Sequence, residues 1–141
     1  MFAAGDVANA WHPFYAQRIR VEHWANALNQ GPAAARAMLG EPVSYDRIPY
    51  FFSDQYDVGM EYSGYATSWD QVVFRGEVAG GELIAFWLRD GLVVAGMNVN
   101  VWDVNDQVQA LIRSRARVDV GALTDPDTPL EALVGEPTAG S

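Results

Sequence analysis

Two short segments near the amino terminus carry residue types from which a ligand site could be built. Gly5-Asp6 follows an apolar tetrapeptide, and Val21-Glu22-His23-Trp24 opens an amphipathic stretch. A glycine lets the backbone approach a ligand closely, and a carboxylate at the end of a strand can accept a hydrogen bond from a sugar-like hydroxyl group. The amino terminus of a helix offers unpaired N–H groups and a positive dipole end, which suit electron-rich ligand atoms. From these residues alone we favour the simpler interpretation, in which Gly5-Asp6 is a turn and Glu22 is a first-turn acid.

The motifs of common catalytic and nucleotide-binding sites are missing from the sequence. No two glycines lie two residues apart, which excludes G-x-G-x-x-G, and the chain has no lysine, which excludes a P-loop. The motifs G-x-S-x-G and H-E-x-x-H are also missing. His12 and His23 fall on separate predicted elements, so we interpret them as hydrogen-bonded structural residues rather than metal ligands. The residues alone complete no active site.

The composition limits the classes of partner. Of the 141 residues, 50% are hydrophobic, and the net charge is −9. This acidity argues against nucleic acid, whose phosphates would be repelled. No apolar run approaches the length of a membrane span. The chain has no cysteine, which excludes disulfides and thiolate metal sites. We therefore expect a cytoplasmic protein that binds neither nucleic acid nor membrane.

The first forty residues predict a strand, a loop and a helix. Met1–Ala4 is a short apolar strand of the kind found inside parallel sheets. Residues 21–40 have helical periodicity. The apolar stripe of that helix consists of Trp24, Leu28, Ala35, Met38 and Leu39. We expect Gly31-Pro32 to bend or split the helix and Gly40 to cap it.

Beyond Pro49 the pattern changes to alternation. Residues 48–57 are extended, and four antiparallel strands follow, VGMEYSGY, QVVFRG, ELIAFWL and LVVAGMNVNVW. Asp90-Gly91 predicts a hairpin turn between the last two. The last strand predicts an edge or half-buried position, with Asn98 and Asn100 pointing outward. We expect the tryptophans of this region to pack in the core or in a lid: Trp69, Trp87 and Trp102.

Two helices are predicted after the strands. In DVNDQVQALIRSRAR one face is apolar, with Asp103 as the N-cap and Asp106 in the first turn. The members of that face are Val104, Val108, Leu111 and Ile112. The sequence Thr128-Pro129-Leu130-Glu131 has the form of a capping box and predicts a short final helix. We expect the last six residues, EPTAGS, to be frayed.

Four separated motifs resemble, in order, the C-terminal portion of FAD-dependent ferredoxin reductases. These motifs are FAAGDVA, RVEHWANALNQGPAAARAML, IPYFFSDQYDVGMEYSG and LRDGLVVAGMNVNVWDVND. The family includes the rubredoxin and putidaredoxin reductases of the pyridine nucleotide-disulfide oxidoreductase superfamily. The resemblance extends to about Arg117.

The resemblance implies an α+β fold in two parts. Residues 1–44 would be the C-terminal end of a Rossmann-type FAD-binding domain, comprising a strand, a loop and a helix. Residues 45–141 would form the reductase C-terminal domain, an antiparallel meander sheet with helices. The chain looks like a fragment or a truncated homologue that starts at the last strand of the FAD domain, with the FAD and NAD glycine motifs upstream.

The resemblance also assigns the cofactor-binding residues. Gly5 and Asp6 match the segment that contacts the ribityl chain of FAD, with Asp6 accepting a hydrogen bond. Glu22, His23 and Trp24 match the segment that opens a helix aimed at the pyrimidine end of the flavin. Phe52 matches a position near the flavin and the nicotinamide that often carries tryptophan, so an indole N–H is lost here. The resemblance implies no catalytic residue and no metal ligand in this chain.

The implied function is that of an NAD(P)H:ferredoxin reductase, in which electrons pass from NAD(P)H through FAD to a ferredoxin-type iron–sulfur protein. The isolated chain is expected to be inactive because it holds only part of the FAD site, and its partners would include the missing FAD and NAD domains. Two arginine groups are alternative docking sites for an acidic ferredoxin, Arg18 with Arg20, and Arg113 with Arg115 and Arg117. For the latter three residues we favour an interaction with the dipole at a helix end over docking.

The alternative is a free-standing, non-catalytic module that dimerises or binds another partner. Without upstream domains, the apolar strand Met1–Ala4 and the flavin-facing aromatics would be exposed, and such patches usually find a partner. A homodimer is one such arrangement.

Overall fold

The computed structural model describes residues 1–135, so the predicted frayed segment, 136–141, lies outside the described residues. The described chain divides into two compact units, Met1–Phe51 and a second that starts at Phe52. The strand Tyr50–Gln55 runs across this division. No helix of the described residues is both long and apolar enough to cross a membrane.

The first unit contains a small hairpin and one long helix. Strands β1 (Ala10–His12) and β2 (Gln17–Ile19) pair antiparallel, with Ala10 opposite Ile19, where the sequence predicted a loop. The predicted strand at Met1–Ala4 is wrong: these residues form no strand, and a 3-10 helix follows at Gly5–Val7. A strand needs a hydrogen-bonded neighbour, and the described residues supply none there.

Helix α1 (Trp24–Met38) is continuous, so the predicted split at Gly31-Pro32 does not occur. Proline removes one donor of the helical ladder, and Pro32 is exposed, where water can replace the lost partner. The predicted cap at Gly40 is confirmed. Gly40 has a φ of +82°, its N–H donates to the carbonyl of Ala37, and the N–H of Glu41 donates to the carbonyl of Arg36. These two bonds form a Schellman motif.

The apolar stripe of α1 faces outward, whereas the apolar face of an amphipathic helix usually lies toward the core. Trp24, Leu28 and Met38 are 71%, 53% and 60% exposed. The buried positions are Asn26, Gln30 and Ala33 on the opposite side of the helix. The periodicity identified the apolar face correctly, but the buried face is the one whose polar side chains find hydrogen-bond partners.

The second unit is built on a five-stranded antiparallel sheet. Its strands are β3 (Tyr50–Gln55), β4 (Val58–Gly64), β5 (Gln71–Glu77), β6 (Glu82–Arg89) and β7 (Leu92–Val99). The order across the sheet is β3-β4-β7-β6-β5. The α+β class and the antiparallel sheet are confirmed, with β4 lying beside β7 instead of β5. The predicted turn at Asp90-Gly91 is confirmed, since both residues have positive φ and Arg89 pairs with Leu92.

Strand β7 is central, so the predicted edge position is wrong, and so is the predicted outward orientation of Asn98. Asn98 is 2% exposed and does not point into solvent. Asn100 lies beyond the strand with a φ of 51°. Trp69 and Trp102 are about half exposed, at 51% and 52%, and are therefore not core residues.

Helices α2 (Asn105–Ser114) and α3 (Val120–Thr124) complete the unit, together with a 3-10 helix at Leu130–Leu133. Val108, Leu111 and Ile112 are buried, as the periodicity predicts. The predicted N-cap is wrong: α2 begins after Val104, whose carbonyl accepts from the N–H of Val108, and Asp103 has a left-handed backbone.

The capping box at Thr128–Glu131 does not form. The Thr128 hydroxyl donates to Asp125 at 2.7 Å, and Glu131 accepts from Gln107 at 2.9 Å. These bonds hold the pKa of each carboxyl below its usual range. The helix cap sits instead on α3, where Asp119 accepts from the N–H of Ala122 at 2.8 Å.

Candidate functional site

The Gly5-Asp6 segment forms a fixed turn against α1. Gly5 is buried with a φ of +75°, a conformation that favours glycine. Its N–H donates to Oε1 of Gln30 at 2.8 Å, and a Cβ at Gly5 would lie 3.8 Å from that of Ala27. The turn therefore packs against the first two turns of α1 and is held there by a buried hydrogen bond.

The Asp6 side chain is exposed at this turn. Among the described residues no hydrogen bond or ion pair engages its carboxylate. Both oxygens are available to accept hydrogen bonds from a ligand hydroxyl group. The turn thus presents an unused acceptor on a backbone whose position is set by Gly5.

The amino terminus of α1 is open. His23 is the N-cap residue, but its side chain makes no capping hydrogen bond. No acid lies in the first turn, so the prediction that Glu22 is a first-turn acid is wrong: Glu22 precedes the N-cap. Ala27 donates the first helical bond to the carbonyl of His23 at 3.1 Å. The first N–H groups of the helix have no side-chain acceptor, and the dipole is not offset by a nearby first-turn carboxylate.

The three side chains at this helix start differ in their surroundings. Glu22 and Arg20 form a salt bridge in which Oε1 and Nη2 are 2.8 Å apart. Both side chains are more than half exposed, so the pair contributes little to stability. The His23 ring packs on Phe51, with a centroid separation of 4.8 Å. The Trp24 indole is 71% exposed. Gly5 and Asp6 thus lie beside the helix that Trp24 begins.

A buried polar network supports this site and was missed by sequence reasoning. Asn26 donates to the carbonyl of Val21 at 3.0 Å and to Gln30 at 3.3 Å, and it accepts from the Tyr45 hydroxyl at 3.1 Å. Burial raises the pKa of Tyr45 above its usual value of 10.0, with Arg47 acting in the opposite direction, so the hydroxyl remains a donor at neutral pH. The available signal was two amides one helical turn apart, opposite the apolar stripe.

His12 is a structural residue, as the sequence predicts. It is 3% exposed, and its Nε2 lies 2.9 Å from the carbonyl oxygen of Arg47, so Nε2 carries the proton and donates. In the part of the chain that the structure describes, no three histidines or acids come together as metal ligands.

Phe52 belongs to the second unit. It lies on β3 and its side chain is 52% exposed. Its ring therefore presents an open aromatic surface on the sheet, at the position where the family resemblance implies a cofactor contact.

The first unit has the features of half of a binding site. A carboxylate without a partner, a fixed turn and an uncapped helix terminus lie along one end of α1. The carboxylate suits a polyhydroxyl chain, and the helix terminus suits an electron-rich heterocycle or an anion. No side chain of this set is paired as a nucleophile and base.

Residues 50–134 match the family model described as "Reductase C-terminal". The chain is 38% identical over 94% of its length to the 5,5'-dehydrodivanillate O-demethylase ferredoxin reductase subunit of Sphingobium, covering 32% of that protein. It is 33% identical over 95% of its length to the anthranilate 1,2-dioxygenase system ferredoxin–NAD(+) reductase component of Burkholderia cepacia, covering 33% of that protein.

A solved structure is similar as well. In the covalent putidaredoxin reductase–putidaredoxin complex, one chain is 29% identical, with a TM-score of 0.82. The match covers 98% of this chain and 33% of that one. The chain spans about a third of the length of the curated relatives it matches.

Proposed function

This chain belongs to the reductase C-terminal family, and from that membership we propose that it supplies the C-terminal part of an FAD-dependent NAD(P)H:ferredoxin reductase. The observation that carries the proposal is the 38% identity over nearly the whole chain to a ferredoxin reductase subunit. Residues 1–44 would complete an FAD-binding domain, and 45–141 would form the C-terminal domain. A ferredoxin-type iron–sulfur protein would be the electron acceptor. A cytoplasmic location accords with the lack of cysteine.

The residues of the first unit fit one part of an FAD site. The Asp6 carboxylate would accept a hydrogen bond from the ribityl chain, because Gly5 lets the turn approach it and Gln30 fixes the turn. The open terminus of α1, with Glu22, His23 and Trp24, would lie toward the flavin, where the dipole stabilises negative charge. Phe52 would contribute an aromatic surface. Bound FAD supplies the redox chemistry, linking hydride transfer from NAD(P)H to single-electron transfer, while the chain positions and polarises it.

We expect the purified chain to bind FAD and Asp6→Ala to weaken that binding. A hydrogen bond to a charged group contributes about 1.5–3 kcal/mol, so the dissociation constant should rise about tenfold or more. The measurement is a titration followed by quenching of flavin fluorescence.

Asp127→Ala is the matched control for this titration. It removes another exposed carboxylate whose side chain makes no hydrogen bond among the described residues. Equal weakening by the two variants would show a general charge effect and contradict the role of Asp6. If neither variant changes FAD binding, the Asp6 carboxylate does not contribute to it, and other residues of the site make the contacts with FAD.

The reductase role is tested with a chimera. The segment of the Sphingobium ferredoxin reductase subunit that aligns with this chain is replaced by the chain itself. We expect the chimera to retain bound flavin and to reduce its ferredoxin with NADH or NADPH. A folded chimera without flavin or activity would contradict the proposal. A chimera that binds flavin but does not reduce ferredoxin would be defective in electron transfer or in docking of the ferredoxin.

A partner-binding module is the second candidate, and the outward apolar stripe of α1 favours it. Trp24, Leu28 and Met38 are more than half exposed along one helix face. Such a surface usually contacts another protein or domain. An inactive chimera together with a self-associating isolated chain would favour this candidate.

A further inference from the structure

Trp102 forms an exposed aromatic platform in the second unit. Its side chain is 52% exposed, although the atoms of its six-membered ring touch the backbone of β4. A Cβ built on Gly59 would lie 2.4 Å from Cη2 and 2.7 Å from Cζ2 of the indole. Any residue larger than glycine would displace the ring, so the position of the indole depends on glycine at residue 59.

Two asparagines fix the backbone on either side of the platform. Asn98 is buried and donates to the carbonyl of Val101 at 2.7 Å and to Glu61 at 2.8 Å. Asn100 exchanges two bonds with Gly59: its N–H donates to the Gly59 carbonyl at 2.9 Å, and its Oδ1 accepts from the Gly59 N–H at 2.8 Å. The backbone next to the exposed indole is thus held by these hydrogen bonds.

A carboxylate without a partner lies beside this ring. Oδ1 of Asp54 is 2.8 Å from the same Cβ position on Gly59. Asp54 is exposed, and among the described residues no arginine or hydrogen-bond donor engages it. From Phe52 to the end, the sequence has five arginines against fourteen acids, so the unit repels anions.

We propose that Trp102 and Asp54 form a docking subsite for an arginine side chain on a partner polypeptide. An indole attracts a cation through its ring quadrupole, and the adjacent carboxylate can accept hydrogen bonds from a guanidinium group. An apolar side chain would leave Asp54 desolvated and unpaired, and an acidic one would be repelled. Neither Trp102 nor Asp54 is among the residues proposed to contact FAD, although Phe52, which is one of those residues, lies on β3 with Asp54.

The test uses a capped hexa-arginine peptide, with hexa-citrulline as the uncharged isostere. Binding is followed by calorimetry and by the NMR signal of the Trp102 indole N–H. We expect saturable binding of the arginine peptide only, with a shift of that signal. Trp102→Ala and Asp54→Asn should each weaken binding at least fivefold, and Trp102→Phe should weaken it less because a ring remains.

The controls are Trp69→Ala and Asp127→Asn, which remove a similarly exposed indole and an exposed carboxylate. Neither should change binding by more than twofold. Equal losses in the controls, binding of the citrulline peptide, or no saturable binding would each overturn the proposal. Trp102→Phe keeps an aromatic ring over Gly59. An NMR spectrum that shows this variant to be folded therefore separates a loss of binding from a loss of structure.

Discussion

Phe86→Ala should remove about 3–5 kcal/mol from the free energy of unfolding of the second unit, the expected cost of deleting a fully buried phenylalanine ring. Phe86 is 0% exposed on β6, opposite Val73 on one side and Gly96 on the other. Val108 of α2 packs on Gly96, where a Cβ would lie 2.5 Å from its methyl carbon. A cavity at Phe86 would therefore open the contact between sheet and helix. Urea unfolding followed by circular dichroism measures the loss.

Phe74→Ala is the matched control for this substitution. Phe74 lies on the neighbouring strand β5 but is 50% exposed, so its removal takes away much less buried area. We expect a loss of less than about 1.5 kcal/mol. Equal losses at Phe86 and Phe74 would show that burial in this sheet does not determine the contribution of a residue to stability.

The sheet could be predicted from the sequence but its strand order could not. Alternation and the Asp90-Gly91 turn identify β6 and β7 and join them as a hairpin, because both signals are local. The pairing of β4 with β7 joins Tyr62 to Met97 across thirty-odd residues of chain, and alternation in each strand is satisfied by either neighbour. The outward orientation that alternation predicts for Asn98 is wrong for this reason, since its burial follows from the central position of β7.

The Gly5-Asp6 turn was predictable from the sequence, but the hydrogen bonds that support it were not. The turn at Gly5 follows from local signals, whereas α1 begins at Trp24, three residues after the predicted start. The sequence could not tell that the amide face of α1 is the buried one, because hydrophobic periodicity ranks Asn26 and Gln30 as outward residues. Only the hydrogen bonds to Gly5, Val21 and Tyr45 make burial of those amides favourable, and such bonds depend on tertiary structure.

Gln30→Leu should release the Gly5-Asp6 turn. Leucine is similar in size but cannot accept the hydrogen bond from the Gly5 N–H, which would be left buried and unpaired at a cost of about 1–3 kcal/mol. Amide exchange at Gly5 should accelerate about fivefold or more, measured by hydrogen–deuterium exchange with NMR detection. FAD binding should weaken to the extent expected for Asp6→Ala, although Asp6 itself is unchanged.

Two variants on α1 separate this effect from general damage to the helix. Asn29→Leu removes only a local bond to the carbonyl of Ala25 at 2.7 Å and should leave exchange at Gly5 unchanged. Gln30→Glu keeps an acceptor oxygen and should restore the slow exchange that leucine abolishes. If Gln30→Leu leaves both exchange and FAD binding intact, the turn is held by its own conformation and the buried amide is not its support. If exchange rises while FAD binding is unchanged, Asp6 acts without a fixed backbone, and the proposed fit of the turn to the ribityl chain is wrong.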